Sequence, residues 1–187
     1  MVCVCELDAS TYFDAIDDRS WPHVSGADSS LGMDVPRVIP DGAAEIDGAS
    51  CATATEPTLF LQGDSLNSIH AGAETLTGGT WTSRGTPSSV TIETDAGDAS
   101  SGYSVTFAAP NGSVLAPTFY PGAIRAGFNG DLPGLEVSGH AGCSNLTGSF
   151  DIRELLFVDG GISRITATFE ERCDGSPSVL RGCVHFR

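Results

Sequence analysis

The chain has no lysine. Its nine basic residues are all arginine, set against 24 carboxylates, for a formal net charge of −15. A surface this acidic repels phosphate backbones and anionic lipid, so charge disfavours nucleic acid and negatively charged membranes as partners. Long apolar runs are missing as well. No stretch approaches the roughly 18 residues of a membrane-spanning helix, and residues 1–8 hold neither the basic start nor the apolar core of an export signal. Charged residues are scarce, at 18%, while glycine is plentiful, at 23 of 187 residues. That balance suits short strands and turns better than helices, in a chain long enough for one domain with its own core.

Motifs for chemistry are absent too. There is no G-x-S-x-G, no H-E-x-x-H and no phosphate-binding glycine loop. Adjacent acids such as Glu170 and Glu171 fall on opposite faces of a strand and cannot share one substrate as an acid and base pair would. The expectation is therefore a protein that is not an enzyme and carries no cofactor.

What the chain does have is cysteine, at positions 3, 5, 51, 143, 173 and 183. Only Cys3 and Cys5 stand close together, so the spacing is not that of a zinc site. A disulfide framework formed in an oxidising compartment is favoured, which points to an extracellular or cell-surface location. The competing reading is a metal held by Cys3, Cys5 and His23.

Residues 1–56 differ from the rest. Val2 and Val4 alternate with cysteines as in a short strand, and Ser10 caps two helical turns that carry Phe13 and Ile16. Beyond them comes a Gly-, Ser-, Asp- and Pro-rich stretch with few large apolar groups. This part reads as an irregular arm or linker, with Cys51 as its tether. Residues 57–187 show turn signals every eight to fourteen residues between short alternating runs. The runs include Leu59-Phe60-Leu61, Ser89 to Thr94, and Tyr103, Val105 and Phe107 facing inward. About nine strands without a helix predict an all-β fold, an antiparallel β-sandwich of jelly-roll type. Pro117 is expected to confine the strand after it to a sheet edge.

The most legible stretch is a terminal hairpin. Phe150 and Ile152 alternate with polar residues on one strand; Ile165, Ala167 and Phe169 do so on the next. Asp159-Gly160-Gly161 joins them, with Gly160 and Gly161 expected at positive φ. The alternation slips at Glu154-Leu155-Leu156-Phe157, as at a β-bulge. Cys183 falls on the face opposite Val184 and Phe186, so its partner should come from outside the main core.

Several segments carry a resemblance: Thr118 to Arg125, Phe128-Asn129-Gly130, Pro133 to Gly139, Gly142-Cys143-Ser144-Asn145, Gly148-Ser149-Phe150, Phe169 to Cys173, and Leu180-Arg181-Gly182. Together they resemble a bacterial domain of unassigned function that occurs in secreted or surface proteins beside other extracellular modules. The resemblance spans residues 57–187 and brings no catalytic residue with it. It extends to Cys143 and Cys173, which we expect to form one disulfide. Simple hairpin register sets Cys173 opposite about Thr147, four residues short of Cys143, so residues 145–148 must fold back or a bulge must shift the register.

Candidate ligand sites lie in loops, where a rigid sandwich carries recognition. Asp64, Asp95 and Asp98, with Asp174, offer hard oxygen ligands of the kind calcium takes, and His140 sits in a turn. Trp81, Tyr103, Phe119 and Tyr120 invite comparison with a sugar-binding face, although core packing accounts for them better. Two functions follow as expectations. One is a non-catalytic extracellular module that binds a glycan or a protein at the cell surface. The other is a structural subunit of a self-assembling bacterial surface structure, docked through the N-terminal arm.

Overall fold

A computed structural model of the chain describes residues 51–95 and 102–187. The expectations for residues 1–50 of the arm, with Cys3, Cys5 and His23, and for Asp98 lie outside those residues.

The described chain is all-β: ten strands in one mixed sheet that curls into a half-barrel. They are β1 (Thr58–Gly63), β2 (Gly72–Leu76), β3 (Thr80–Thr86), β4 (Ser89–Asp95), β5 (Tyr103–Ala108), β6 (Phe119–Arg125), β7 (Gly134–Ser138), β8 (Leu146–Val158), β9 (Gly161–Cys173) and β10 (Val179–Phe186). Their spatial order is β2-β1-β10-β9-β8-β6-β7-β5-β4-β3. All pairs are antiparallel except β6 with β7.

Curling lets the two halves of the sheet cover each other, as the layers of a sandwich do. Inward positions follow the period of two: Leu59 and Leu61 on β1, Val90 and Ile92 on β4, Val105 and Phe107 on β5, Phe150 and Ile152 on β8 are all buried. Phe107 packs against Phe150 and Phe169, with ring centroids 5.0 and 6.3 Å away, and Tyr120 stacks on Phe150 at 4.6 Å. The halves also touch near the far end, where Ser83 Oγ donates to the Ile162 carbonyl at 3.4 Å.

The terminal hairpin forms as expected, with a correction at its turn. Positive φ falls on Asp159 (51°) and Gly160 (80°), not on Gly161, which opens β9. A two-residue turn with both central residues left-handed matches the twist of the flanking strands, and Asp is among the few residues beside Gly that tolerate it. The slip in alternation is two bulges rather than one. Arg153 is the extra residue on β8, between Ile152↔Ala167 and Glu154↔Thr166; Ser163 is the extra residue on β9, between Leu156↔Arg164 and Phe157↔Ile162. The two insertions cancel, and Cys173 ends opposite Leu146.

Pro117 does not precede an edge strand. β6 lies inside the sheet, between β8 and β7. Its own Pro121 is tolerated because the register shifts between Tyr120 and Ala123, where Gly122 takes a φ of 66°. The shift removes the need for the N–H that proline lacks. On the other side β6 meets β7 only at Ile124 and Arg125, which leaves β7 beyond Leu135 without a strand partner there.

Candidate functional site

The β1–β2, β7–β8 and β9–β10 connections lie at one end of the half-barrel, beside the start of β5, and form its mouth. Here the curl is closed by polar contacts between strands far apart in the sheet. His70 Nδ1 lies 3.0 Å from the Tyr103 hydroxyl, and that hydroxyl reaches Glu74 Oε2 at 3.3 Å. Tyr103 can give its single proton only once. With the hydroxyl donating to Glu74, His70 Nδ1 is left to donate to the phenol oxygen; it also lies 3.4 Å from Glu74 Oε2, and His70 Nε2 is buried without a hydrogen-bond partner. Burial, then the charge of Glu74 and the hydrogen bond to it, push the Tyr103 phenol up to about 12. It remains a proton donor across the ordinary range. His140 completes the cluster edge-on to Tyr103, ring centroids 6.5 Å apart, and Gly139 is pressed against the same ring.

The two long strands of the hairpin bring a carboxylic acid into this end of the core. Glu171 follows Phe169 on the inward face of β9 and is only 1% exposed. Desolvation pushes its carboxyl up to about 8; a hydrogen bond from the Val137 backbone opposes the shift, and the charge of Glu136 adds to it. The Val137 contact falls where β6 has already left β7. Oε1 lies 3.9 Å from Cys143 Sγ, and Oε2 has no partner. At neutral pH Glu171 is a buried, protonated acid.

Cys143 and Cys173 are joined, with Cα atoms 5.2 Å apart. Residues 146–148 do not fold back: they stay paired with β9, from Leu146↔Cys173 to Gly148↔Glu171. The chain turns only before them, where Asn145 N–H donates to Asp174 Oδ1 at 2.7 Å and Asp174 N–H to the Asn145 carbonyl at 2.7 Å. A second disulfide joins Cys51 to Cys183. Cys183 points outward from β10, as its alternation requires, and meets a segment lying outside the core.

The described loop carboxylates, Asp64, Asp95 and Asp174, are not gathered into one cluster. Asp64 binds the start of β10, its Oδ2 accepting from Val179 N–H at 2.9 Å while its own N–H donates to the Val179 carbonyl. Asp174 is engaged by Asn145 as described. Asp95 ends β4 and is exposed. Among the described residues, no three His, Cys, Asp or Glu side chains gather as metal ligands would. The aromatic set is also divided. Trp81 and Tyr103 stand in one row, each opposite Thr94 on β4; Tyr120 is buried against Phe150, and Phe119 is exposed.

Sequence reasoning missed the larger concavity. Residues 53–56, tethered through Cys51, lie beside the outer face of β1 and β2 and border an open groove of about 400 Å³. Glu56, Thr58, Phe60, Thr75 and Thr77 line it, together with Thr53. The signal was present in part: Thr58 and Phe60 alternate with inward Leu59 and Leu61, and so face outward. Nothing local to them shows that β2 and a disulfide-held segment build the walls.

No family model matches the chain, and no curated protein or solved structure is similar to it.

Proposed function

We propose that this is a non-catalytic, exported β-domain that binds a glycan in the groove beside β1. The groove carries the reading. A half-buried phenyl ring amid threonine hydroxyls and one carboxylate is the pairing a sugar needs, an apolar surface for its C–H face and hydrogen-bond partners for its hydroxyls. Its volume lies within the range of small-ligand sites. Two disulfides suit an oxidising compartment, and the motif resemblance across residues 57–187 points to bacterial secreted and surface proteins. Among the described residues no helix is long and apolar enough to cross a membrane.

The test is a glycan array followed by titration of the best binder against the protein and its Phe60→Ala variant. Binding that weakens at least tenfold in the variant supports the reading. Absence of any glycan binding, or binding indifferent to Phe60, overturns it.

One observation favours a second reading, a subunit of a self-assembling surface structure. Among the described residues the sheet ends on β2 and β3, both mostly exposed, and an open edge accepts an added strand from another copy. Sedimentation that finds only monomer at high concentration would remove it.

A further inference from the structure

At the mouth, the β1–β2 loop and the β9–β10 turn enclose a cleft of about 170 Å³ whose lining includes Asn67, Ser68, Asp174, Ser178 and Cys173. Ser68 Oγ donates toward Cys173 Sγ at 3.7 Å. On the other side of the same disulfide, Glu171 Oε1 stands 3.9 Å from Cys143 Sγ. One sulfur thus borders a small cleft, and the other borders an acid. Both disulfides are buried, Cys143 and Cys173 at 3% and 5% exposure and Cys51 and Cys183 at 0%; what separates them is that neither Cys51 nor Cys183 lines this cleft or the groove beside β1.

We propose that Cys143–Cys173 is a thiol-exchange site for a low-molecular-weight dithiol, with Cys173 the sulfur attacked and Glu171 the proton donor to the departing Cys143. A thiolate of the dithiol enters the cleft and bonds to Cys173 Sγ as the Cys143–Cys173 bond breaks. Cys143 Sγ leaves with the electron pair and takes the proton of Glu171, whose carboxylate is left ionised. The second thiolate of the dithiol then attacks its own bound sulfur, closes a cyclic disulfide and releases Cys173, which is protonated from water. Two electrons pass from the dithiol to the protein. The exchange is faster when the leaving sulfur is stabilised, and a proton delivered at that sulfur does so.

Burial holds Glu171 protonated up to about pH 8, so the donor is loaded at neutral pH. The charged groups on neighbouring strands do not compete for that role. Glu170 pairs with Arg172 and Arg181 on the outer face, and Glu136 pairs with Arg125. His140 lies across the mouth against Tyr103.

The experiment treats the folded full chain with dithiothreitol, traps thiols with N-ethylmaleimide at timed points and maps the peptides. Cys143 and Cys173 should be labelled at a rate proportional to dithiothreitol, while Cys51 and Cys183 stay joined. Corrected for dithiothreitol thiolate, the rate constant should fall about tenfold between pH 7 and pH 9 as Glu171 ionises. In Glu171→Gln it should be about tenfold lower at pH 7 and flat across that range. The wild-type profile decides alone if the variant does not fold. Labelling of both pairs together, a rate independent of dithiothreitol, or a flat wild-type profile would each overturn the proposal.

Discussion

Glu171→Gln should change how stability depends on pH, and in a direction that is unusual for a carboxylate. The folded protein raises this carboxyl from 4.5 to about 8, so the folded chain binds the proton more tightly than the unfolded one. The contribution of Glu171 to stability is therefore fully present below about pH 4.5 and is lost as pH rises through about 8. At about 1.4 kcal/mol per pH unit the full span is worth about 5 kcal/mol; relaxation and water penetration reduce it to about 2–4 kcal/mol in practice. Glutamine keeps the acceptor for the Val137 amide and cannot ionise, but its amide nitrogen lacks a partner, at a cost of about 1–3 kcal/mol. The variant should be less stable than wild type near pH 4.5 and equal to it, or more stable, at pH 8. The assay is urea unfolding at fixed ionic strength from pH 4.5 to 8.5. Urea is preferred to guanidinium because it does not screen the −15 net charge, and the difference between the two proteins cancels the remaining electrostatic background. Parallel curves, with a constant gap at every pH, would refute the reasoning.

Other outcomes follow from particular contacts. Burial, and then Arg187, hold His185 below its usual pKa; the neutral ring contacts Thr166 and accepts from Arg187 Nε. The folded chain resists protonation there, so wild type should lose stability as pH falls below about 6.5, by at most about 1.4 kcal/mol per unit, relative to His185→Gln; equal acid slopes in urea unfolding would count against this. Replacing Cys51 and Cys183 together by alanine opens a 132-residue loop and should cost about 3–5 kcal/mol on the chain-entropy model, measured by urea midpoint. Gly182→Ala places a methyl group 2.4 Å from the Phe169 ring and 2.6 Å from the Phe60 carbonyl. A loss of about 1–3 kcal/mol in thermal or urea unfolding is expected.

Much of the strand content was legible because half-buried strands write a period of two into the chain. Tyr103, Val105 and Phe107 show it, and so do Ile165, Ala167 and Phe169. The same alternation carried Glu171 inward beside Phe169, but sequence could not say that the site would be closed over it. That closure depends on β7, which reaches Glu171 only because β6 stops at Arg125. Strand order was equally hidden: nothing local to Val179–Phe186 reveals that β10 sits between β1 and β9. Bulge positions escaped for a related reason. Pattern shows that the phase slips somewhere near Glu154, whereas Arg153 and Ser163 are selected by pairing across the hairpin. Asp64 looked like a free loop carboxylate until its partner, Val179, was brought to it from 115 residues away.

The Cys51–Cys183 bond also sets how the domain carries load. Tension applied along the backbone before residue 51 and after residue 183 passes from one sulfur to the other. The intervening 132 residues of sequence separation, which include all of β1 to β9, lie off the line of force. A pull strong enough to peel Val184 to Phe186 from the sheet would still leave the core, the mouth and the groove unstretched. For a protein tethered on both sides of that bond, the disulfide is a mechanical bypass, and the sheet is held in series with nothing.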